Sequence, residues 1–489
     1  MKKIMILFVA LAAAWCVSCS KDDDGGKNPG DPAEKAGLTM KSEGQEIRLE
    51  FLFSEISKIT IDWGDGTVKE YEADNDVYVV YEYSQAALHT IKISGCTALT
   101  SLNCYRNQLT SLDVSGCPDL TTLDCSENQL SSLNVSGCPH LTMLYCSSNQ
   151  LPSLDVSGCP DLTKLRCSDN QLPSLDISGC TGLTEFICSN NQLSSLDVSG
   201  CTGLTWLDCS DNQLPSLDVS RCPDLAHLDC SVNQIPSLDV SGCPDLTELI
   251  CYDNRLPSLD VSGCPHLTFI FCSDNQLPSL DVSGCPDLTT LACSNNQLPS
   301  LDLSGCPALT GLECSKNQLP SLDVSVCPNL TTLSCASNQL PSLDISRCTH
   351  LAHLVCSDNP LSSLDVSGRP DLTTLSCFEN QLTSLDVSGC PALTELACAS
   401  NQLTSLNISG CTALTELDCR YNQLPSLDVI GCPDLNRFYC SGNEFSVSAL
   451  NQIYTDLPTI DGRIMANSNP GYPESDKNIA TGKGWVFSE

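Results

Sequence analysis

One spelling dominates this chain of 489 residues, a 21-residue unit that recurs without insertion or deletion. The copy at residues 120–140 reads LTTLDCSENQLSSLNVSGCPH. The Cys of its LxC element marks seventeen rungs, the first at Cys104 and the last at Cys440, each 21 residues from the next. A period near twenty, held that strictly, means that each unit packs on its neighbours alone. The chain then grows by stacking and not by enlarging one core, so it folds as a solenoid. Length alone would suggest about three ordinary domains, and the repeat overrides that expectation.

Charge narrows the partners. There are 23 basic against 59 acidic residues, a formal net charge of −36. A nucleic-acid partner needs basic side chains to displace counterions from phosphate, so that class is excluded. Docking of the folded surface onto anionic lipid is disfavoured for the same reason. Much of the acid is patterned: of the sixteen equivalent positions that begin at Asp113 and end at Asp428, fourteen carry Asp and two carry Asn, at Asn134 and Asn407. Carboxylates about 4.8 Å apart repel one another, and Ca²⁺ between them would relieve this. The preferred alternative is that each Asp accepts bonds from nearby backbone N–H groups while water and salt screen the rest. The glycine-rich nonapeptide of calcium-binding β-rolls is absent. No metal site and no cofactor is expected.

The 35 Cys would ordinarily suggest a disulfide scaffold. Here seventeen form the LxC ladder, sixteen form a second ladder that begins at Cys96 and ends at Cys432, and Cys16 and Cys19 stand near the N-terminus. Equivalent residues of a parallel stack lie about 4.8 Å apart with Cβ atoms aligned, beyond the ~3.5–4.5 Å that a disulfide prefers. The ladder Cys are therefore read as small buried apolar residues, with occasional bridges as the alternative. Thirty-three ladder Cys cannot all pair within one chain.

Residues 1–19 read as an export signal: Lys2 and Lys3, an apolar run over 4–14, and small Ser18 before Cys19. The apolar run is too short for a membrane-spanning helix. Ser18-Cys19 resembles the lipobox of bacterial lipoproteins, which implies lipidation of Cys19. Cys16 stands where that pattern more often has Leu, and an ordinary cleaved signal is the alternative. Residues 20–36 are polar and rich in Gly, Pro and charge, and form a flexible tether. The acidic cluster behind Cys19 resembles a surface-export signal of Gram-negative lipoproteins. Together these imply a lipid-anchored outer-membrane protein exposed at the cell surface, with no other membrane contact.

Residues 37–95 differ in texture. Alternation over 46–51 predicts a strand with one buried face, and strand-like runs follow at 58–63, 77–83 and 89–93. IDWGDGTVKEY followed by YEYSQAALHTIKISG resembles the PKD-like β-sandwich family, which implies a small sandwich-like module. Asp62 and Asp65 are metal ligands on one reading and turn residues on the preferred one. The module should also cover the first rung, since an open end exposes core and strand edges.

The repeats occupy 96–443. Leu162-Thr163-Lys164-Leu165-Arg166-Cys167-Ser168-Asp169-Asn170-Gln171-Leu172 resembles the leucine-rich-repeat signature, and the nested LTTLDCS and LSSLNVS resemble a bacterial 21-residue class of it. The resemblance implies a horseshoe-class α/β solenoid. So short a unit leaves little room for helix, so mostly parallel β is expected. It also implies that the Asn found in all seventeen copies caps a turn and bonds the backbone of adjacent coils. Pro opens the second half of the unit in ten copies, so that side should be less regular, because Pro lacks the donor a ladder needs. The Ser-Gly-Cys-Pro turn tolerates Val326 in place of Gly, so it should not require a left-handed residue. In 444–489 the spelling dissolves. Val447, Leu450, Ile453, Tyr454 and Leu457 fall at helical spacing, and the segment reads as a C-terminal cap.

Along the LxLxC strand, side chains alternate between core and solvent. Two outward columns result, one containing Lys164 and the other Arg166. Each holds ten residue types, whereas the outward position of the other half is Asp or Asn throughout. Variation is thus concentrated on the presumed concave strand face, where solenoids commonly bind. Met143, Tyr145, Ile187, Trp206, Ile250, Phe269 and Phe271 place apolar groups there, and Lys164 with Arg166 is the adjacent basic pair. Drift at unconstrained positions is the alternative, but drift should favour small polar residues over Trp and Phe. The candidate contact is an extracellular protein or glycan, bound by a monomer. A structural spacer, or an accessory component of surface glycan uptake without its own catalysis, is the competing reading. No catalytic constellation emerges: the six His are not paired with a nucleophile in a recognisable motif, and no phosphate-binding Gly loop or zinc signature is present.

Overall fold

The computed structural model describes residues 37–73 and 75–488. Each copy of the repeat makes one coil. Its LxC element supplies a three-residue strand that pairs in parallel, and in register, with the strands before and after. Lys164–Arg166, for example, lies between Met143–Tyr145 and Glu185–Ile187. The central Leu is buried and the flanking residues face out, as the two-residue period of a strand demands. The chain is a mostly parallel β-solenoid of about 18 turns with little helix, as the short period led us to expect.

Columns of Leu and two columns of Cys fill the core. All thirty-three described Cys are buried and unpaired. Several use the thiol as a weak donor across rungs; Cys159 Sγ lies 3.6 Å from the carbonyls of both Val135 and Cys138. The Asn ladder does what the resemblance implied. Asn191 Nδ2 donates to the carbonyls of Cys167, Cys188 and Ser189, and its Oδ1 accepts from the Leu172 N–H. One buried side chain therefore satisfies four backbone groups that the turning chain leaves open.

The two turns of the coil differ in backbone demand. Where the Ser-Gly-Cys-Pro turn carries Gly, φ is negative except at Gly95 and Gly368, so the tolerance of Val326 is explained. The left-handed residue sits instead just before the conserved-in-copy Asn, at Glu127, Asp169, Asp211 and even β-branched Val232, with φ near 50°. The spelling announces this only in part: Asp, Asn or Gly, which tolerate positive φ, stand there in eight of the seventeen copies.

The second side is irregular where Pro stands. A two-stranded ladder, Ser384–Asp386 with Ser405–Asn407, forms beside Thr383 and Thr404, which replace Pro; the Thr404 N–H donates to the Thr383 carbonyl at 2.9 Å. Elsewhere on this side the pairing between coils is reduced to isolated bridges such as Asp239 with Asp260.

Before the repeats come β1 (Leu38–Ser42), β2 (Glu46–Phe53), β3 (Ser57–Asp62), β4 (Val68–Ala73), β5 (Asp76–Glu82) and β6 (His89–Ser94). The first repeat contributes β7 (Leu99–Asn103) and β8 (Leu109–Asp113). β1 and β4 were not singled out in the sequence. β2 pairs antiparallel with β7, and β1 antiparallel with β8, so the segment joins both sides of the first coil and closes its edges. Residues 36–489 form one compact unit, with continuous sheets across the expected boundary at 95. Asp62 and Asp65 accept the N–H groups of Gly64 and Thr67, the turn role preferred above.

At the other end the solenoid continues past 443. Ile464, Ala466 and Asn469 repeat the Leu-x-Cys-x-x-Asn spacing, Gly462–Met465 pairs in parallel with Arg437–Tyr439, and Asn469 Nδ2 donates to the Cys440 carbonyl. The helix α1 (Val447–Asp456) buries Leu450, Ile453 and Tyr454 as the spacing predicted, and Ser446 caps it by accepting the Ala449 N–H. A short α2 (Asn478–Thr481) and the strand Trp485–Phe487 complete the cap.

One rung breaks the pattern twice. Pro360 stands where other copies have Gln, Arg or Glu, and so cannot make the bond that Gln339 N–H gives to the Leu319 carbonyl. Arg369 stands in the second Cys ladder. It is 5% exposed, its Nη atoms donate to the carbonyls of Ser367 and Ile345 at 2.6 and 2.7 Å, and its buried Nε has no partner.

Candidate functional site

The register of the sheet turns the two outward columns into a physical strip. Met143, Lys164, Glu185, Trp206, His227, Glu248 and Phe269 are successive neighbours in one column. Tyr145, Arg166, Ile187, Asp208, Asp229, Ile250 and Phe271 run beside them. All nine residues singled out for binding therefore share one face. At about 4.8 Å per rung they extend over roughly 29 Å, a strip and not a pocket.

Its lower part is polar. Lys164 and Arg166 both bond Glu185, with Lys164 Nζ at 3.2 Å, and the Arg166 guanidinium lies 5.2 Å from the centre of the Tyr145 ring. Burial works to raise the Glu185 pKa, but the bonds from Arg166 and Lys164 outweigh it and hold the carboxyl below its usual range. One of the two positive charges is thus compensated within the face.

The middle is aromatic and acidic. The Trp206 ring stacks on His227 with centroids 3.7 Å apart, and His227 Nδ1 lies 2.7 Å from Glu248 Oε2. His227 is buried beneath this contact, yet Trp206 remains 42% exposed. Asp208 and Asp229 sit in register on the neighbouring column. Each accepts the N–H and hydroxyl of the Ser two residues on through Oδ1. Burial raises the Asp229 pKa, and the Asp208 charge adds to it against the bonds from Ser231. Above them Phe269 and Phe271 pack ring to ring at 4.5 Å.

Sequence reading passed over three elements of this strip. His227 was a column member without an assigned role, because its partners lie one rung away on either side. Asp208 and Asp229 were hidden among the abundant acid. Tyr252, 38% exposed beside the strip, follows the ladder Cys at a position that is Ser in most copies, and the same comparison of copies would have found it. Cys19 lies outside the described residues. Among the described residues no group of three or more His, Cys, Asp or Glu could hold a metal, and no helix is long and apolar enough to cross a membrane. The Asp ladder makes Asx bonds, as in Asp155 Oδ1 with the Ser157 N–H at 2.9 Å.

Known proteins set this architecture in context. The family model for leucine-rich repeats, two copies, matches residues 97–138. A search of curated proteins gave no match. Among solved structures, the functional domain of InlJ from Listeria monocytogenes, described as including a cysteine ladder, is similar at 34% identity and a TM-score of 0.66, over 74% of this chain and 77% of that one. YopM from Yersinia enterocolitica is similar at 27% identity and a TM-score of 0.53, over 79% of this chain and 91% of that one. The internalin InlF of Listeria monocytogenes shares the fold, at 22% identity and a TM-score of 0.51, over 56% of this chain and 85% of that one. With the repeat, its buried Asn and Cys ladders and a likeness covering 77% of the InlJ domain, the chain belongs to the leucine-rich-repeat family.

Proposed function

We propose that this is a cell-surface recognition protein that binds an extracellular protein or glycan through the strand face between Met143 and Phe271, without catalysis of its own. One observation carries the reading: large apolar and aromatic side chains, half-buried except for exposed Trp206, gather on one strand face while the opposite outward ladder keeps Asp or Asn. Exposed apolar patches with Trp, Tyr and Arg beside them are the composition of contact surfaces. Leucine-rich-repeat solenoids are commonly binding scaffolds, and the InlJ domain is a bacterial example of the architecture. In this reading residues 1–19 direct export, Cys19 carries a lipid anchor in the outer membrane, residues 20–36 are the tether, and the protein acts as a monomer. The PKD-like resemblance of 37–95 fits a segment whose task is to close the first coil.

The test is a pull-down of host extracellular proteins with the full chain, paired with a glycan array, each repeated with Trp206→Ala, Phe271→Ala. Loss of capture in the double variant is expected. Capture by both forms alike would remove the strand face from the function and favour a spacer.

A further inference from the structure

The strip has an uncompensated charge at its centre. In the two outward columns of the seventeen repeats the basic residues are Lys164, Arg166 and Arg437. Each already bonds a carboxylate of the same face, Glu185 for the first two and Glu416 for the third. Asp208 and Asp229, by contrast, form no ion pair with Lys or Arg among the described residues; His227, itself held by Glu248, is the basic group that acts on Asp229, and their outer neighbours in register are Ile187 and Ile250. Beside them the Trp206 ring is fixed from behind by His227, which Glu248 holds in turn. A pre-stacked, half-exposed indole next to two unpaired carboxylates is complementary to a planar cation.

We propose that Trp206, Asp208 and Asp229 form a subsite for the guanidinium of an arginine presented by a protein partner, with Ile187 and Ile250 receiving apolar residues that flank it. The inference rests on the strand-face reading above and names its partner's chemistry. Carboxylates one rung apart suit the rigid fork of donors on a guanidinium, which also stacks on an indole face; an ammonium would do only the first. Ca²⁺ would need six to eight oxygens, and two carboxylates between isoleucines fall short of that. An acidic glycan would be repelled, and a neutral one would leave both carboxylates unmatched.

Of the four Trp, Trp63 and Trp485 are buried, Trp206 is exposed and Trp15 lies in the segment read as export signal, so the part of the emission that Trp206→Phe removes reports on the subsite. The full chain is titrated with acetyl-Leu-Arg-Leu-amide and with the same peptide carrying citrulline, which keeps the shape and removes the charge. The arginine peptide should change the emission saturably, and Trp206→Phe should abolish the signal. The citrulline peptide should bind at least about tenfold more weakly, as should the arginine peptide to Asp208→Asn, Asp229→Asn. That double variant should keep the local turns, since Asn134 accepts the Ser136 N–H in the same way at the equivalent of the Asp ladder. Equal binding of the two peptides, no saturable change, or full binding by the Asn variant overturns the proposal, as does a neutral oligosaccharide that saturates the same signal regardless of Asp208 and Asp229. If capture in the pull-down needs Trp206 but not the two carboxylates, this inference fails and the strand-face reading survives. If capture never needs Trp206, the strand-face reading itself fails.

Discussion

Replacing Arg369 by Cys should make the solenoid more stable. The native arrangement buries a guanidinium that is 5% exposed, and two carbonyl bonds, to Ser367 and Ile345, offset only part of its desolvation. The unpartnered Nε–H adds a cost of about 1–3 kcal/mol. The ladder positions on either side show what Cys would restore. Cys348 and Cys390 each donate their N–H at 2.9 Å to the carbonyl three residues before, a bond that Arg369 does not make among the described residues. Such a bond is worth about 1 kcal/mol. The charge is partly matched by Asp344 and Asp365, whose carboxyls are held low chiefly by Ser346 and Ser367 bonds with Arg369 assisting. Buried charges exchanged for apolar residues typically give about 1–4 kcal/mol of stability, and with two good bonds lost the expected gain is about 2 kcal/mol. A long repeat array need not unfold in one step, so the assay should be local: amide hydrogen exchange over 345–390, in which Arg369→Cys slows opening. Arg369→Ala serves as the control that removes the charge and leaves a cavity. If Arg369→Cys speeds exchange as much as Arg369→Ala, the guanidinium is a net clamp between rungs and the reasoning is refuted.

Three further outcomes are expected. Asn191→Ala strips partners from the Leu172 N–H and from the Cys167 and Cys188 carbonyls, and should cost about 3–5 kcal/mol, seen as faster exchange of the Leu172 amide; a loss below 1 kcal/mol would mean that water replaces the side chain. Val232→Asn should stabilise by about 1 kcal/mol, because a β-branched residue at φ 51° gives way to one that tolerates the left-handed region; an unchanged melting temperature would show that no strain is stored there. The ladder carboxylates Asp155, Asp197 and Asp218 are depressed by bonds from the Ser hydroxyl and N–H two residues on. A depressed acid lends stability that is complete above its unfolded pKa, near 3.9, and is lost as pH falls through the lower folded value. Melting temperature should therefore fall as the solution is acidified below about pH 4; a rise would show that relief of repulsion along the ladder dominates.

Most of the fold was legible because each repeat states its own register. Leu165 and Cys167 had to point inward once Arg166 pointed out, and seventeen agreeing copies leave no room for a slip. What escaped was set by relations between copies or by backbone alone. The final turn at 462–469 keeps Ile464, Ala466 and Asn469 at the right spacing but exchanges the letters, so a reading tied to Cys stopped one coil early. The left-handed residue before each Asn, Val232 included, is marked only in part, by Asp, Asn or Gly in eight of the seventeen copies. Pro360 and Arg369 depart in the scaffold half, where the letters alone do not say what a substitution does to the coil. In the candidate site, alternation gave the face and the comparison of copies gave its members. The partnership of Trp206 with His227 and Glu248 runs across rungs 21 residues apart, and only the stacked sheet brings it together.

The cysteine ladders carry a consequence for how this molecule is made. Buried, their thiols are pushed toward the protonated form, Cys159 to about 11 and Cys167 to about 12, chiefly by desolvation, and are chemically quiet. In the unfolded chain the same thiols ionise near pH 8.5 and exchange readily. Because the rungs are near copies, an oxidant meeting that chain has no means of telling neighbours from strangers, and every bridge it forms freezes a register that the coil does not use. The native stack is thus accessible only to a chain that zips before it is oxidised. Refolding after unfolding in an oxidising solution is therefore expected to be slower than in a reducing one.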